Sequence, residues 1–409
     1  GMIYVRSGTL TIGSDDQDLS STYISRPKSI SIAGFFMDET EITNNEYRQF
    51  VNWVRDSIAH TILGDVEEDE NGKSHILWDN EIDYTDEALA DMFYSGDDIL
   101  NGKKEFDVDK LVFNYEWMDW QKAAADRGKS TRKTYIKKEK TKIYPDTMVW
   151  IRDFAYSYNE PMTRNYFWHP AYDDYPVVGV NWKAATAFCA WRTKIWDMYR
   201  PQDVHTEGFR LPTEFEWEYA ARAGHNSAPY PWGAYGLRNS KGCLLANFKP
   251  RRGNYPEDGG LWTVKSNAYF ANDYGFYCMA GNVSEWVMDV YRPLTQEDND
   301  EFRPFRGNVF MEMERDNDGN VAPKDSLGRI KFKPVDPANA ANRRNYKQAD
   351  YRNYLDGDVQ SSLDFSTSTT SAQNPGGSTR MYAQGQGDMS SLITDNVRVY
   401  KGGSWKDRA

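Results

Sequence analysis

The segment Gly208–Gly224, GFRLPTEFEWEYAARAG, has the least freedom in how it folds. Thr213 followed three residues later by Glu216 spells a capping box, in which each side chain satisfies a backbone N–H that the first helical turn leaves open. Pro212 precedes the cap, and Glu214 places a carboxylate at the positive end of the helix dipole. Gly224 supplies the stop. Phe215 and Tyr219 fall four residues apart on one face, while Ala220 and Ala221 leave room for another segment to approach closely. The segment is expected to be a short core helix on which the rest of the chain packs.

Ahead of it, Met2–Ile12 and Lys28–Met37 read as short strands, with β-branched or aromatic alternation and glycine punctuation. Thr43 and Glu46 form a second capping box, and Tyr47, Phe50, Val51 and Val54 mark the buried stripe of a helix running to about Ser57. In YPVVGVNW, Pro176 is expected to start an apolar strand and Asn181 to cap a third helix, with Trp182, Ala185, Phe188, Cys189, Arg192 and Trp196 on its buried face. Cys189 is therefore expected in a core rather than as a reactive thiol, since no neighbouring cation is forced beside it to lower its pKa.

Two long stretches do not fit this pattern. From His60 to Asp146 the charge alternates: GDVEEDENGK makes a turn, Tyr84–Tyr94 and Tyr115–Asp126 read as amphipathic helices, and Ser130–Lys142 is strongly basic. Arg132, Lys133, Lys137, Lys138, Lys140 and Lys142 are consistent either with a docking surface for an acidic partner or with a solvated face. From Leu294 to Asn396, the run VFMEMERDNDGNVAPKDSLGRIKFKPV suggests a hairpin turning at Asp318-Gly319, with apolar alternation at Val309, Phe310 and Met311 and at Ile330 and Phe332. Its acidic turn lacks the ligand spacing and closing glutamate of an EF-hand. Ser361–Ser391, rich in Ser, Thr, Gln and Gly, is a poor core former and is expected to be a mobile loop.

A chain of 409 residues is long enough for two or three domains, but the placement of the motifs favours a single domain, 1–409, interrupted by insertions at 60–146 and 294–396. Apolar residues make up only 39%, so much of the chain must be polar loop, although aromatics at 15% supply material for a core. A net charge of −12 argues against a nucleic-acid partner. Three cysteines are too few for a disulfide scaffold and too scattered for a zinc site. The five histidines, His60, His75, His169, His205 and His225, lack ligand spacing, and no G-x-S-x-G nucleophile motif occurs.

Pro229–Gly275 has few periodic signals and many turn residues, so its loops must be held by side-chain to main-chain bonds. Asn247 and Asp258 are hard oxygen donors on a glycine-rich path, and Asn282 with Glu285 in GNVSEW forms a second set. On their own, both sets read as turn caps.

RLPTEFEWEYAARAG, YPWG at Tyr230–Gly233, GNVSEW at Gly281–Trp286 and GGSW at Gly402–Trp405 resemble, in order and wording, the formylglycine-generating enzyme (sulfatase-modifying factor) family. The resemblance covers roughly 3–58, 149–293 and 397–409. It implies an α+β, C-type-lectin-like fold with little regular secondary structure, and structural calcium held by Asn247, Asp258 and the carbonyls near Phe248 and Gly260, with a second set at Asn282 and Glu285. Within the superfamily, GFFMDETEITNNEYRQFVNWVRDSIA at Gly34–Ala59 resembles the gliding-motility lipoprotein K branch of the type IX secretion system. That branch implies a non-catalytic ring subunit in the periplasm, attached to the outer membrane through an upstream lipid anchor and partnered by gliding-motility protein N.

In the family's enzymes, two cysteines carry the oxidation on copper(I): one two residues past the aromatic of GGS[WY], the other five residues later. Here Asp407 stands at the first position, and a hard carboxylate neither suits Cu(I) nor forms a mixed disulfide, so no copper is expected. The family continues past the position of Ala409 to a GFRC-like segment, whose cysteine the resemblance implies as partner for Cys189. A pseudo-enzyme that binds peptide or glycan in its groove, or an oxidase of altered chemistry, is the alternative.

Overall fold

The computed structural model describes residues 1–13, 27–69, 74–118, 123, 130–153, 162, 165–201, 206–249, 255–290, 311–314, 321–326, 328, 331–334, 363–368, 378–380 and 398–407. The opening strands form two antiparallel ladders: β1 (Met2–Val5) pairs with β4 (Phe35–Asp38), and β2 (Gly8–Ile12) with β3 (Lys28–Ile32). Leu10, Ile12, Ile30 and Ile32 alternate inward onto Phe215, as a half-buried ladder requires.

Helix α1 (Asn44–Leu63) has the expected capping box, with Thr43 Oγ1 accepting from Glu46 N and the Glu46 carboxylate accepting from Thr43 N. It runs six residues past the expected end, because His60 is buried and Gly64 supplies a left-handed cap at φ 82°. Helix α2 (Trp182–Tyr199) starts at Asn181, whose side chain accepts from Ala184 N. Its buried residues are Ala184, Ala187, Phe188 and Trp191, whereas Trp196 is exposed, so the buried face is turned by about one residue from the expected one. Cys189 is partly buried, and burial pushes its thiol up to about 12, which keeps it protonated. Tyr47, Phe50, Phe188 and Trp191 meet between α1 and α2 in one aromatic core.

Much of the stretch after α1 contributes to that core. A small hairpin, β5 (Val66–Glu68) with β6 (Ser74–Ile76), follows the helix, and Trp78 packs on Trp53 and His60. The helix expected at Tyr84–Tyr94 is a 3₁₀ turn at Glu87–Met92, capped by Asp86. Tyr115–Asp126 does not begin as a helix: β7 (Val112–Met118) pairs with β8 (Ile136–Lys142). Val-Phe-Asn-Tyr has period two, and it buries Phe113 and Tyr115 while exposing Asn114 and Glu116. Phe113 packs edge-on against Phe50, and Tyr47 Oη donates to Ile143 O at 2.8 Å, so this hairpin is part of the domain core. Trp120 lies outside the described residues.

Pro176 makes only an isolated bridge to Thr43; no strand forms from it, because Gly179 turns the chain at φ 84°, where a β-carbon would stand 2.3 Å from Asp146 O. Strand β9 (Glu285–Val290) pairs with the chain's last strand, which joins GNVSEW to the GGSW segment. In the second long stretch, β10 (Met311–Met313) pairs with β11 (Phe332–Pro334) in the expected hairpin, whose Asp318-Gly319 turn lies outside the described residues. The Ser361–Ser391 segment holds a pair of strands, β12 (Leu363–Ser368) and β13 (Ser378–Arg380), where a loop was expected. The last strand is β14 (Arg398–Lys401).

Helix α3 (Glu214–Arg222) carries the expected capping box, and Arg210 adds two bonds of 2.7 Å to the Glu216 carboxylate. It ends one residue before Gly224, at Ala223 in the left-handed region. The segment that approaches its alanines is the turn at Asn272, whose Nδ2 donates to the carbonyls of Ala220 and Ala221 at 2.8 and 3.0 Å. From β9, Asp289 accepts from Glu214 N at 2.7 Å and caps the other end.

Candidate functional site

The loops around α3 converge on Asn282, which is wholly buried at φ 60°. Asparagine tolerates this left-handed conformation better than most residues. Its Oδ1 accepts from Val264 N (2.9 Å) and Asn247 Nδ2 (3.3 Å), and its Nδ2 donates to Glu41 Oε2 (2.6 Å) and Val264 O (3.3 Å). Its main chain donates to Asn247 O and accepts from Trp405 N. Gly281 precedes it because a β-carbon there would stand 2.0 Å from Asn247 O. One side chain thus joins the loops of Asn247, Val264 and GNVSEW to the entry of α1.

Of the sequence-predicted cation donors, Asn247, Phe248, Asp258 and Gly260 do come together. Asp258 accepts from Phe248 N (3.0 Å) and Gly260 N (3.3 Å), and Asn247 donates to Trp262 O at 2.7 Å. Burial holds the Asp258 carboxyl above its ordinary range, with neighbouring Glu257 adding to the effect, despite these two backbone donors. Phe248 and Gly260 thus meet Asp258 through their N–H groups, not through the carbonyls expected to bind a cation, and both carboxylate oxygens serve as turn caps. Both polar atoms of the Asn282 side chain are committed to protein partners. In the second set, the acidity therefore resides on Glu285 and on Glu41, which sequence reasoning missed.

Glu285 accepts from Trp217 Nε1 at 2.9 Å, and Glu41 accepts from Val283 N at 3.2 Å. Burial pushes Glu285 up to about 7 and raises Glu41 well above the usual carboxylate range, with the charge of Glu285 adding to the shift at Glu41. Glu41 stands 241 residues before Asn282, so no local spacing signalled the pairing. Among the described residues, no group of three or more His, Cys, Asp or Glu gathers as a metal site.

The neighbouring GGSW turn is tied down by Asp407. Its Oδ2 accepts from Ser404 N (2.8 Å) and Ser404 Oγ (2.7 Å), and its carbonyl accepts from Lys249 N (2.8 Å). Behind the turn, Trp405 stacks on Trp150 and meets Trp262 edge-on. A small open concavity of about 70 Å³ adjoins these loops, lined by Trp232, Tyr269, Phe276 and Met279. Cys189, Cys243 and Cys278 are unpaired thiols, none of them in the GGSW segment.

The sequence profile of the sulfatase-modifying factor enzyme 1-like domain matches residues 1–409. The chain belongs to that family. It is 38% identical over 125 residues to the inactive Cα-formylglycine-generating enzyme 2 of Bos taurus, a match covering 30% of this chain and 36% of that one. To the formylglycine-generating enzyme of Bos taurus it is 26% identical over 293 residues, covering 70% of this chain and 57% of the relative. The chain thus spans between about a third and somewhat over half of the length of these relatives. Among solved structures, PvdO from Pseudomonas aeruginosa is 16% identical with a TM-score of 0.37, over 76% of this chain and 77% of that one. The fold is that of the formylglycine-generating enzymes, with mixed helix and strand content.

Proposed function

We propose that this member of the sulfatase-modifying factor family is not a catalyst but a structural subunit of the type IX secretion and gliding-motility machinery. The observation that carries the first half is Asp407. At the position where the family's enzymes place their first copper thiolate, this chain has a carboxylate already engaged in closing the GGSW turn. It has neither the softness for Cu(I) nor the ability to exchange with a substrate thiol. That the family includes proteins named as inactive is in keeping with this.

The second half rests on the resemblance of Gly34–Ala59 to gliding-motility lipoprotein K. On that reading, the protein works in the periplasm, held at the outer membrane by a lipid anchor, and self-associates into a ring with gliding-motility protein N.

Two measurements test the halves separately. Incubation with a CxPxR-type peptide and copper should yield no aldehyde and no stoichiometric copper signal; formation of either sinks the non-catalytic reading. Purified protein N should be retained by the immobilised chain, and failure to bind it removes the secretion assignment.

A further inference from the structure

The charge of this chain is polarised within the segment between α1 and α2. Residues 65–98 carry thirteen carboxylates and a single lysine, whereas Ser130–Lys142 carries six cations and a single glutamate. The acidic segment is not a disordered tail. Its 3₁₀ turn buries Leu89, Met92 and Phe93 against Ala59, near the C-terminal end of α1. This packing leaves Glu67, Glu68, Asp79, Glu81, Asp86 and Glu87 exposed.

The basic segment packs on the same helix, where Trp53 touches both Trp78 of the acidic segment and Phe113 at the base of the β7–β8 hairpin. Along β8, Lys138, Lys140 and Lys142 point to solvent, opposite the buried Thr141. Farther along the ladder, Trp117 lies across from Lys137 and is 42% exposed. The cations of the hairpin that form ion pairs do so locally, Lys138 with Glu116 and Lys142 with Asp109. Among the described residues, no ion pair joins the hairpin to the 65–98 segment.

We infer that the basic β7–β8 hairpin of one copy docks on the acidic 65–98 segment of a second copy. Both surfaces are fixed to α1 by apolar packing, and the exposed lysines along β8 stay unpaired with the acidic segment of their own chain among the described residues. Exposed patches of opposite sign attract between bodies, and the contact joins two different surfaces, which propagates head to tail and closes into a ring or extends as a filament. A chain with net charge −12 otherwise repels its own copies, so the hairpin is the surface on which that repulsion reverses sign. The inference rests on the self-assembly reading above for its premise that copies adjoin, and it adds the surfaces through which they do.

Sedimentation velocity of the full chain at about 50 mM and about 500 mM sodium chloride tests it, since added salt screens such poles over a few ångströms. Association should weaken at least about tenfold at the higher salt. The variant Lys137→Glu/Lys138→Glu/Lys140→Glu should remain monomeric at low salt, and so should Glu67→Lys/Glu68→Lys/Glu81→Lys. An equimolar mixture of these two reversed variants should associate again, which a merely misfolded variant would not do. A wild-type chain that stays monomeric at low salt, or associates with no response to salt or to either reversal, overturns the inference. So does hairpin-dependent binding to anionic phospholipid vesicles without self-association. Association through the two poles by a chain that fails to bind protein N would refute the secretion reading alone.

Discussion

Asn282 and Phe113 are both nearly inaccessible to solvent, yet they hold their surroundings by different means. Asn282 satisfies backbone groups of loops that have no ladder, and every bond it makes has a defined direction. Phe113 fills space against Phe50 and Trp53, where several apolar shapes would serve. The loops around α3 are of the first kind and the β7–β8 hairpin is of the second. The contrast explains why the first region has a recognisable wording and the second only a hydrophobic period. A directed network tolerates almost no exchange of residue type, while a packed face constrains volume and leaves its outward positions open to other uses, here a dense charge pattern.

The largest effect should follow from breaking the network at its centre. Asn282→Ala strands Val264 N and Glu41 Oε2 in the interior and takes one of two acceptors from Asn247 Nδ2, and each buried polar group left without a partner costs about 1–3 kcal/mol. A loss above about 4 kcal/mol, or no folded protein, is expected in urea denaturation. Asn282→Leu should do no better despite its similar volume. Phe113→Ala should cost about 3 kcal/mol, but Phe113→Leu less than about 1.5. If Asn282→Leu proves as mild as Phe113→Leu, the distinction between the two regions collapses.

Calcium sharpens the same comparison. If an ion ties Asn247 and Asp258, chelation should lower the melting temperature of the wild type, because saturation at about a hundred times Kd adds about 2.7 kcal/mol to the folded state. Asp258→Asn should abolish that response, and Phe113→Leu should retain it. A melting temperature indifferent to calcium and chelator in all three chains would show that the protein's own hydrogen bonds suffice.

How much of this was legible in the sequence follows from the same physics. Capping boxes at Thr43 and Thr213 and the cap at Asn181 involve residues three apart, so the sequence displays them directly. The convergence of Asn247, Phe248, Asp258 and Gly260 spans fourteen residues and was within reach once the motifs were placed. Glu41 and Asp289 were not, because their partners are 241 and 75 residues away and nothing local distinguishes them from surface acids. Tyr115 was assigned to a helix because charges spaced around it mimic an amphipathic period, although Phe113 and Tyr115 alternate as a strand. Nothing local marks Trp78 as buried, because the surface it covers is built by Trp53 and by His60, which α1 reaches only by running on past Ser57.

A smaller effect belongs to the start of α3. Burial alone would raise the Glu216 carboxyl, but the hydrogen bonds and charge of Arg210 outweigh it and hold the group below its ordinary range. A depressed carboxylate contributes stability that is fully present above the ordinary glutamate range and is lost as pH falls through the depressed value. Glu216→Gln should cost on the order of 1 kcal/mol at neutral pH and flatten the acid side of the stability profile in that window. A variant with the wild type's acid dependence would place the titrating group elsewhere.

The smallest effect on folding should come from Trp117, and it separates the two uses of the hairpin. Its ring is 42% exposed, with Nε1 donating to Glu139 Oε1 at 3.2 Å on the neighbouring strand. Removing it opens no buried cavity, so Trp117→Ala should change unfolding free energy by less than about 0.5 kcal/mol. An exposed tryptophan beside lysines is, however, the type of side chain that anchors an interface, where its loss costs about 2 kcal/mol or more. Assembly with neighbouring copies or with protein N should then weaken at least about tenfold while the melting temperature stays put. The opposite outcome, a clear loss of stability with unchanged assembly, would mean that Trp117 belongs to the packed base of the hairpin with Phe113, and that its outward face is solvated and nothing more.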